Sequence, residues 1–304
     1  IPASASSGQL ADMSSTGAVT VSGAGDGYNA TFYKGRLWLA NHHARAGDPT
    51  YGTWLKCFDK YTGAVCPDVG SGTGATFISD VAGTAFGAGT GTYDTPNVSE
   101  SFIDQSNGHI YVPAQENAVS GLTKVGWLCG DLDTLTSCGF VQAGTEEAPQ
   151  DWGGKRLFTR FNPMPVNSQN STQLLAVGGS GKVYCFDAAS NALCANSGTK
   201  SVATPVVMPD YQHMPFAAAA SANRGDATPE YAFITNATTT HNAVLECSHL
   251  TGAACFTTIT LDGAAAFPTA TGVSWSQPVP VYTKAGALEG VCVGGNGGYT
   301  DPLW

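Results

Sequence analysis

"WLKCFDKYTGAVC" at 54–66 is the stretch on which the fold turns. Two cysteines stand nine positions apart, with an aromatic-Asp pair after the first and a Thr-Gly turn before the second. The arrangement recurs as "WLCGDLDTLTSC" at 127–138, "VYCFDAASNALC" at 183–194 and "VLECSHLTGAAC" at 244–255. The pairs are Cys57/Cys66, Cys129/Cys138, Cys185/Cys194 and Cys247/Cys255, separated by 9, 9, 9 and 8 positions. Zinc sites favour roughly two to four residues between paired cysteines. The wider gap suits the two arms of a hairpin. Four local disulfides are therefore expected, and with them an oxidising, extracytoplasmic compartment. Cys292 is left over, and its apolar setting "EGVCVGG" predicts a buried free thiol.

Working outward, the first cysteines at 57, 129, 185 and 247 define repeats of 72, 56 and 62 residues. That is too long for a leucine-rich or ankyrin repeat and suits a four-stranded propeller blade with generous loops. The third unit is the clearest. "LFTRFNP", "QLLAVGGSG", "KVYCFDA" and "NALC" read as four strands, the last two carrying the cysteines. The turn between them is Asp-Ala-Ala-Ser-Asn, with relatives Asp-Lys-Tyr-Thr-Gly and Ser-His-Leu-Thr-Gly. Asp caps such a turn, and Gly or Asn accepts positive φ. Units one, two and four divide in the same way. A fifth is partial: "SQPVPVYTK" and "LEGVCVGGNGG" lack an outer strand. "STGAVTVSG" at 15–23 matches "YTGAVCPDV" at 61–69 and is expected to complete it, removing an open edge.

The expected fold is all-β: a single closed β-propeller domain of five four-stranded blades with hairpin disulfides in the outer strands. The blades fall roughly at 26–67, 98–141, 156–195, 214–257 and 273–304, the last joined by 15–23. Segment 68–97 leaves room for a degenerate extra blade. A pair of β-sandwiches is the alternative architecture, but it does not explain the regular cysteine hairpins.

"GKVYCFDAASNALC" at 181–194 resembles the repeat of quinoprotein-type (pyrroloquinoline-quinone-like) propellers, in which a Gly-x-Val-Tyr-x-x-Asp strand runs into an x-Thr-Gly turn. The resemblance covers the third and fourth strands of the units and implies the architecture. It implies no cofactor, because quinoprotein dehydrogenases use a vicinal Cys-Cys pair that this chain lacks, and no functional residue carries over.

Composition agrees with an all-β reading. Only 12% of the 304 residues are charged, Gly accounts for 38, and aromatics stand at 10%. Runs with helical spacing are missing. The net charge of -10, with 13 scattered Lys and Arg, argues against phosphate-neutralising nucleic-acid partners and anionic membrane surfaces. No apolar run approaches the roughly 20 residues of a bilayer span. The start "IPASASSGQLADMSS" reads as a mature N-terminus. Sequons at Asn29, Asn97, Asn170 and Asn236 make glycosylation an expectation.

In a propeller, the interblade loops and the loops after each second strand share one face. The first set reads "GDGYN" (25–29), "GTYDT" (91–95), "PQDWGG" (149–154), "PDYQHM" (209–214) and "GVSWSQ" (272–277). The second contributes "NHHARAGD" (41–48), "AQEN" (114–117) and "TNATTTHN" (235–242). The expected ligand-binding residues are therefore Asp26, Tyr28, His42, Tyr93, Asp94, Glu116, Asp151, Trp152, Tyr211, His213, His241 and Trp275. Aromatic rings and carboxylates at a funnel mouth suit sugars: rings stack on C–H faces and carboxylates accept hydroxyl protons. The same Tyr, Trp and Asp residues also serve as turn-formers and packing wedges between blades. Adjacent His42 and His43 point to opposite faces of a strand, so a metal there would need His213 or His241 as well. "NRGD" at 223–226 sits in an expected hairpin turn, and "GGSGK" at 178–182 lacks the spacing of a phosphate-binding loop.

No Gly-x-Ser-x-Gly or His-Glu-x-x-His motif is present. The expected function is a secreted or surface-displayed binding or structural module, without cofactor or metal. Its expected partners are glycans, other extracellular or surface proteins, or copies of itself. The alternative is a secreted glycosidase or lyase using funnel carboxylates about 5–10 Å apart.

Overall fold

The inner strands read as near-continuous apolar runs: "RLWLA" at 36–40, "HIYVPA" at 109–114, "QLLAVG" at 173–178 and "FAAAA" at 216–220. Such runs belong to strands covered on both faces. The computed structural model describes residues 29–43, 52–88, 93–94, 101–116, 121–147, 151–152, 155–156, 161–164, 172–178, 180–201, 216–239, 241–251, 258–266, 268 and 273–297. Over these residues the chain is all-β with antiparallel pairing. Helix is limited to single turns at Gly70–Gly72 and Gly263–Ala266. No described helix is long and apolar enough to cross a membrane. The expected strand at 15–23 lies outside the described residues.

The chain divides into two compact units. Ile1–Val119, Val125–Gln142 and Pro149–Thr159 form one, and Ser120–Lys124, Ala143–Ala148 and Arg160–Trp304 the other.

In the first unit, β1 (Asn29–Tyr33), β2 (Arg36–His43), β3 (Gly52–Asp59) and β4 (Ala75–Phe77) form a sheet in chain order. The β1–β2 turn is Lys34-Gly35, both with positive φ (43° and 82°), the geometry that matches hairpin twist. The second sheet contains β5 (Tyr93–Asp94), β6 (Phe102–Asp104), β7 (His109–Glu116), β8 (Leu122–Asp131) and β9 (Thr136–Glu147). Its order is β5-β7-β8-β9, with β6 also on β7. Trp38 and Ala40 of β2, Leu55 and Cys57 of β3, and Ile110, Val112 and Ala114 of β7 share one core, so the two sheets pack face to face. Thr31 bonds Ser101 and the Gln105 amide donates to Phe32 O (2.9 Å) along the same seam. The ribbon β10 (Asp151–Trp152) and β11 (Lys155–Arg156) follows.

In the second unit, β12 (Phe161–Met164), β13 (Gln173–Gly178), β14 (Lys182–Asp187), β15 (Ala192–Leu193) and β16 (Lys200–Ser201) form the third sheet. The fourth is β17 (Phe216–Ala220), β18 (Tyr231–Ala237), β19 (Ala243–His249) and β20 (Ile259–Leu261). Then β21 (Val273–Trp275) and β22 (Val279–Tyr282) run along β24 (Gly295–Gly297) and β23 (Leu288–Cys292) as one interrupted ribbon. One face of β17, Ala217 and Ala219, packs on Leu175, Val177 and Val183 of the third sheet. The other face, with Ala220, packs with Phe233 and Leu245 against Tyr282, Leu288 and Val291 of the ribbon. Alanine on both faces lets the layers approach closely.

Three expectations need correction. In the first and third sheets the strand after the hairpin turn is not the full outer strand, whereas in the second β9 is. Val65 makes only an isolated bridge to Phe58, and the long outer pairing comes from β4, nine residues beyond Cys66. Likewise β15 covers two residues of β14 and β16 returns to cover two more. A hairpin closed by a nine-residue disulfide is too short to span the strand it folds against, so the chain comes back. Segment 68–97 holds no degenerate blade in its described part. It supplies β4 and then lies along the β8–β9 hairpin, where Gly83 N donates to Ser137 O (2.8 Å), Ser137 N to Thr84 O (2.8 Å) and Phe86 N to Leu135 O (2.8 Å). Finally, Cys292 is free but exposed, not buried. It shares the ribbon's outward face with Val279 and Val281, which are 57% and 36% exposed, and no third strand covers that face among the described residues.

Candidate functional site

The cysteine hairpins are rigid frames from which loops project. Cys57–Cys66, Cys129–Cys138 and Cys185–Cys194 are bonded, with Cα atoms 5.4, 5.0 and 5.3 Å apart. Cys247 is also disulfide-bonded, and Cys255 lies outside the described residues. Each described turn is capped by its Asp. Asp59 Oδ1 accepts from Tyr61 N (3.0 Å), Thr62 N (2.8 Å) and Thr62 Oγ1 (2.9 Å). Asp131 Oδ1 accepts from Asp133 N and Thr134 N, and Asp187 from Ala189 N and Ser190 Oγ. Hydrogen bonds from Thr62 hold the Asp59 carboxyl below its ordinary value. At Asp131 and Asp187 burial pushes the other way, but hydrogen bonds outweigh it, from Thr134 and Asp133 to Asp131 and from Thr172 and then the turn residues to Asp187, and both lie low.

Of the expected ligand-binding residues, Asp26, Tyr28, Tyr211 and His213 lie outside the described residues. His42 stands at the end of β2, opposite Thr53. Asp151 and Trp152 sit on the short β10–β11 ribbon, opposite Arg156 and Lys155.

Two groups come together. In the first unit, Tyr93 pairs with Glu116 and Asp94 with Gln115 across β5 and β7. Tyr93 is 7% exposed and stacks on Phe140 at 3.8 Å, so its ring belongs to the core. Burial, then the charges of Glu116 and Asp80, raise its phenol above the ordinary range. Of this group, Glu116 is the half-buried carboxylate at the end of β7, able to accept from a hydroxyl ligand.

In the second unit, the Trp275 indole N–H donates to the carbonyl of His241 (3.1 Å). Thr239 Oγ1 shapes that loop by accepting from His241 N and Asn242 N, and Asn242 Oδ1 accepts from Gly263 N. Any side chain at Gly263 would strike the His241 carbonyl. Trp275 and His241 thus form one braced corner.

A buried carboxylate that the sequence did not point to is Glu146, 3% exposed near the end of β9. Its carboxylate accepts from Tyr184 OH (2.6 Å), Ser180 Oγ (2.7 Å) and Ser180 N (2.8 Å). The glycine-rich loop "GGSGK" therefore grips a carboxylate of its own chain. Gly178 leaves the space that Glu146 fills. Burial, then the bond to Glu146, raise the Tyr184 phenol far above the ordinary range. The partners are 34 and 38 residues apart, and no local pattern in the sequence links them.

His109, Cys129 and Cys138 bring a nitrogen and two sulfurs within 4.8 Å. The sulfurs are bonded to each other, so they are not thiolate ligands. "NRGD" forms a turn in which Asp226 Oδ2 accepts from Asn223 N and Nδ2 (both 3.1 Å). The sequon at Asn236 also needs correction: the residue is fully buried on β18 and cannot carry a glycan in the folded chain. Asn29 begins β1, and Asn97 and Asn170 lie outside the described residues.

No family model matches the chain, and no curated protein matches it. Among solved structures it is similar to the GH43_1 enzyme from Xanthomonas citri complexed with xylose, at 13% identity and a TM-score of 0.34. The match covers 76% of this chain and 71% of that one. A likeness this slight carries no argument about fold or chemistry.

Proposed function

We propose that the chain is an extracellular module of the β-propeller type, with five blade-like sheets, that binds glycans or assembles with other surface proteins. The observation that carries the proposal is the pairing of stacked sheets with disulfide-closed hairpins: within each unit, successive antiparallel sheets pack face to face in chain order. The disulfides support an oxidising compartment. A rigid scaffold with braced loop corners favours binding, because little freedom is lost on contact. The resemblance of "GKVYCFDAASNALC" to quinoprotein-type repeats supports the blade architecture and nothing about a cofactor.

The second reading, a carbohydrate-active enzyme, draws on one observation. Glu116, opposite Tyr93 on paired strands, is a half-buried carboxylate, and glycoside hydrolysis needs such a group close to a second one across a sugar. A glycan array run beside a reducing-sugar release assay separates the readings. Retention of a glycan without release of reducing ends fits the binding module. Release that disappears in Glu116→Gln moves the protein to the enzyme class.

A further inference from the structure

We propose that a groove in the first unit is a binding site for a neutral saccharide, separate from the loop residues discussed above. The groove lies between β4, the loop 68–73, the segment 85–87 and the turn at Thr134-Leu135. Its volume is about 580 Å³, inside the roughly 300–1,000 Å³ of small-molecule sites.

The strongest sign is Thr76 on its wall. Thr76 is 2% exposed, and its Oγ1 has no hydrogen-bond partner among the described residues. A buried hydroxyl left unmatched weakens a fold, so such groups are uncommon unless something outside the chain completes them. Space is kept open beside it. Gly87 carries no side chain there; a Cβ would come within 3.3 Å of Thr76 Oγ1, and the φ of +81° disfavours any other residue.

The lining indicates the ligand class. Phe77, Phe86 and Leu135 supply apolar surface, and Ser71 supplies a hydroxyl. Among the described residues Asp68 is the one charged residue of the lining, and Arg36 Nη2 pairs with its carboxylate at 2.8 Å. With that charge matched, nothing in the lining favours a charged ligand. Apolar C–H faces with hydroxyl edges are what this surface complements.

The walls are already braced. Thr73 Oγ1 donates to Gly70 O (2.7 Å), Gly74 N to Val69 O (3.0 Å) and Gly87 N to Phe77 O (3.1 Å). A preformed groove spends little of its interaction energy on ordering.

The ligand class rests on the glycan-binding reading, and the experiment keeps the two apart. Isothermal titration calorimetry on the full chain would use glucose, galactose, mannose, N-acetylglucosamine and their β-linked oligomers at millimolar concentration. At least one of these probes is expected to bind. Thr76→Val should weaken it about tenfold while leaving the melting temperature unchanged or higher, since the hydroxyl has no partner to lose. Ala85→Trp, at an exposed lining position, should block binding with an unchanged circular dichroism spectrum. Binding that survives both substitutions overturns the groove and leaves the glycan-binding reading standing. A lowered melting temperature in Thr76→Val also overturns it, because the hydroxyl would then serve the fold. No binding to any probe by the unaltered chain overturns both.

Discussion

The fourth residue after each turn's Asp is where the repeat meets a backbone constraint. Gly63, Leu135 and Asn191 stand there after Asp59, Asp131 and Asp187, with φ of 71°, 54° and 52°. Left-handed backbone costs an ordinary side chain about 1–2 kcal/mol, and Gly and Asn least. Asn191 is exposed, so its replacement isolates the backbone effect. Asn191→Ala should lose about 1 kcal/mol in urea unfolding while Asn191→Gly stays level or gains; equal losses would remove the backbone explanation. The capping carboxylates add a pH dependence. Asp59, Asp131 and Asp187 are all held below the ordinary 3.8. The folded chain thus binds fewer protons than the unfolded one near pH 4, and stability falls as pH drops through the lowered values. Their contribution is fully present above pH 4. Thermal scans from pH 6 to pH 2 should show the fall, and Asp187→Asn should flatten it.

At the scale of elements, the third strand of the first and third sheets carries the load twice. It is gripped first by the disulfide hairpin and then by a later segment. Cys185 is the clearest case: its N–H donates to Ser197 Oγ (3.0 Å), its carbonyl accepts from Cys194 N (3.0 Å), and Gly198 N donates to Val183 O (2.9 Å). Gly74 does the same beside Cys57, where a Cβ would come within 2.7 Å of Val65 Cβ. A nine-residue loop is worth about 2–3 kcal/mol to the folded state in the chain-entropy model. Replacing Cys185 and Cys194 together by Ala should cost about that much. Hydrogen exchange should rise first in residues 188–199, and loss spread evenly over the third sheet would argue against a local staple. The first three strands of each unit were legible because apolar runs and turn residues are local signals. The outer pairing of the second sheet, β9 on β8, was legible too, but those of the first and third were not: β4 and β16 are two or three residues long, and their partners are chosen by the return of the chain. Site residues were legible only as loop positions. Tyr93 reads the same in sequence whether its ring faces a ligand or, as here, Phe140.

At the scale of the whole molecule, layering sets which surfaces stay open. The fourth sheet is covered on both faces, by the third sheet and by the β21–β24 ribbon. Among the described residues the ribbon is covered on one face only. Tyr282 OH donates to Ser221 O (3.1 Å), and Leu288 N donates to Ala222 O (2.7 Å), fixing the inner face. Val279, Val281 and Cys292 remain on the outer face, in register with one another across β22 and β23. Closure of a ring by residues 15–23 would require that face to be covered by a neighbouring blade. Thiol reactivity tells the two states apart. In the arrangement observed, a maleimide should modify Cys292 in the native protein, at a rate close to that after denaturation, and Cys292→Ser should abolish the reaction. Exposure of a thiol beside two valines also predicts disulfide-linked dimers during air oxidation, absent in the serine variant. Modification that appears only on denaturation would mean that a further layer lies over the ribbon, and the ring would then be closed at this seam.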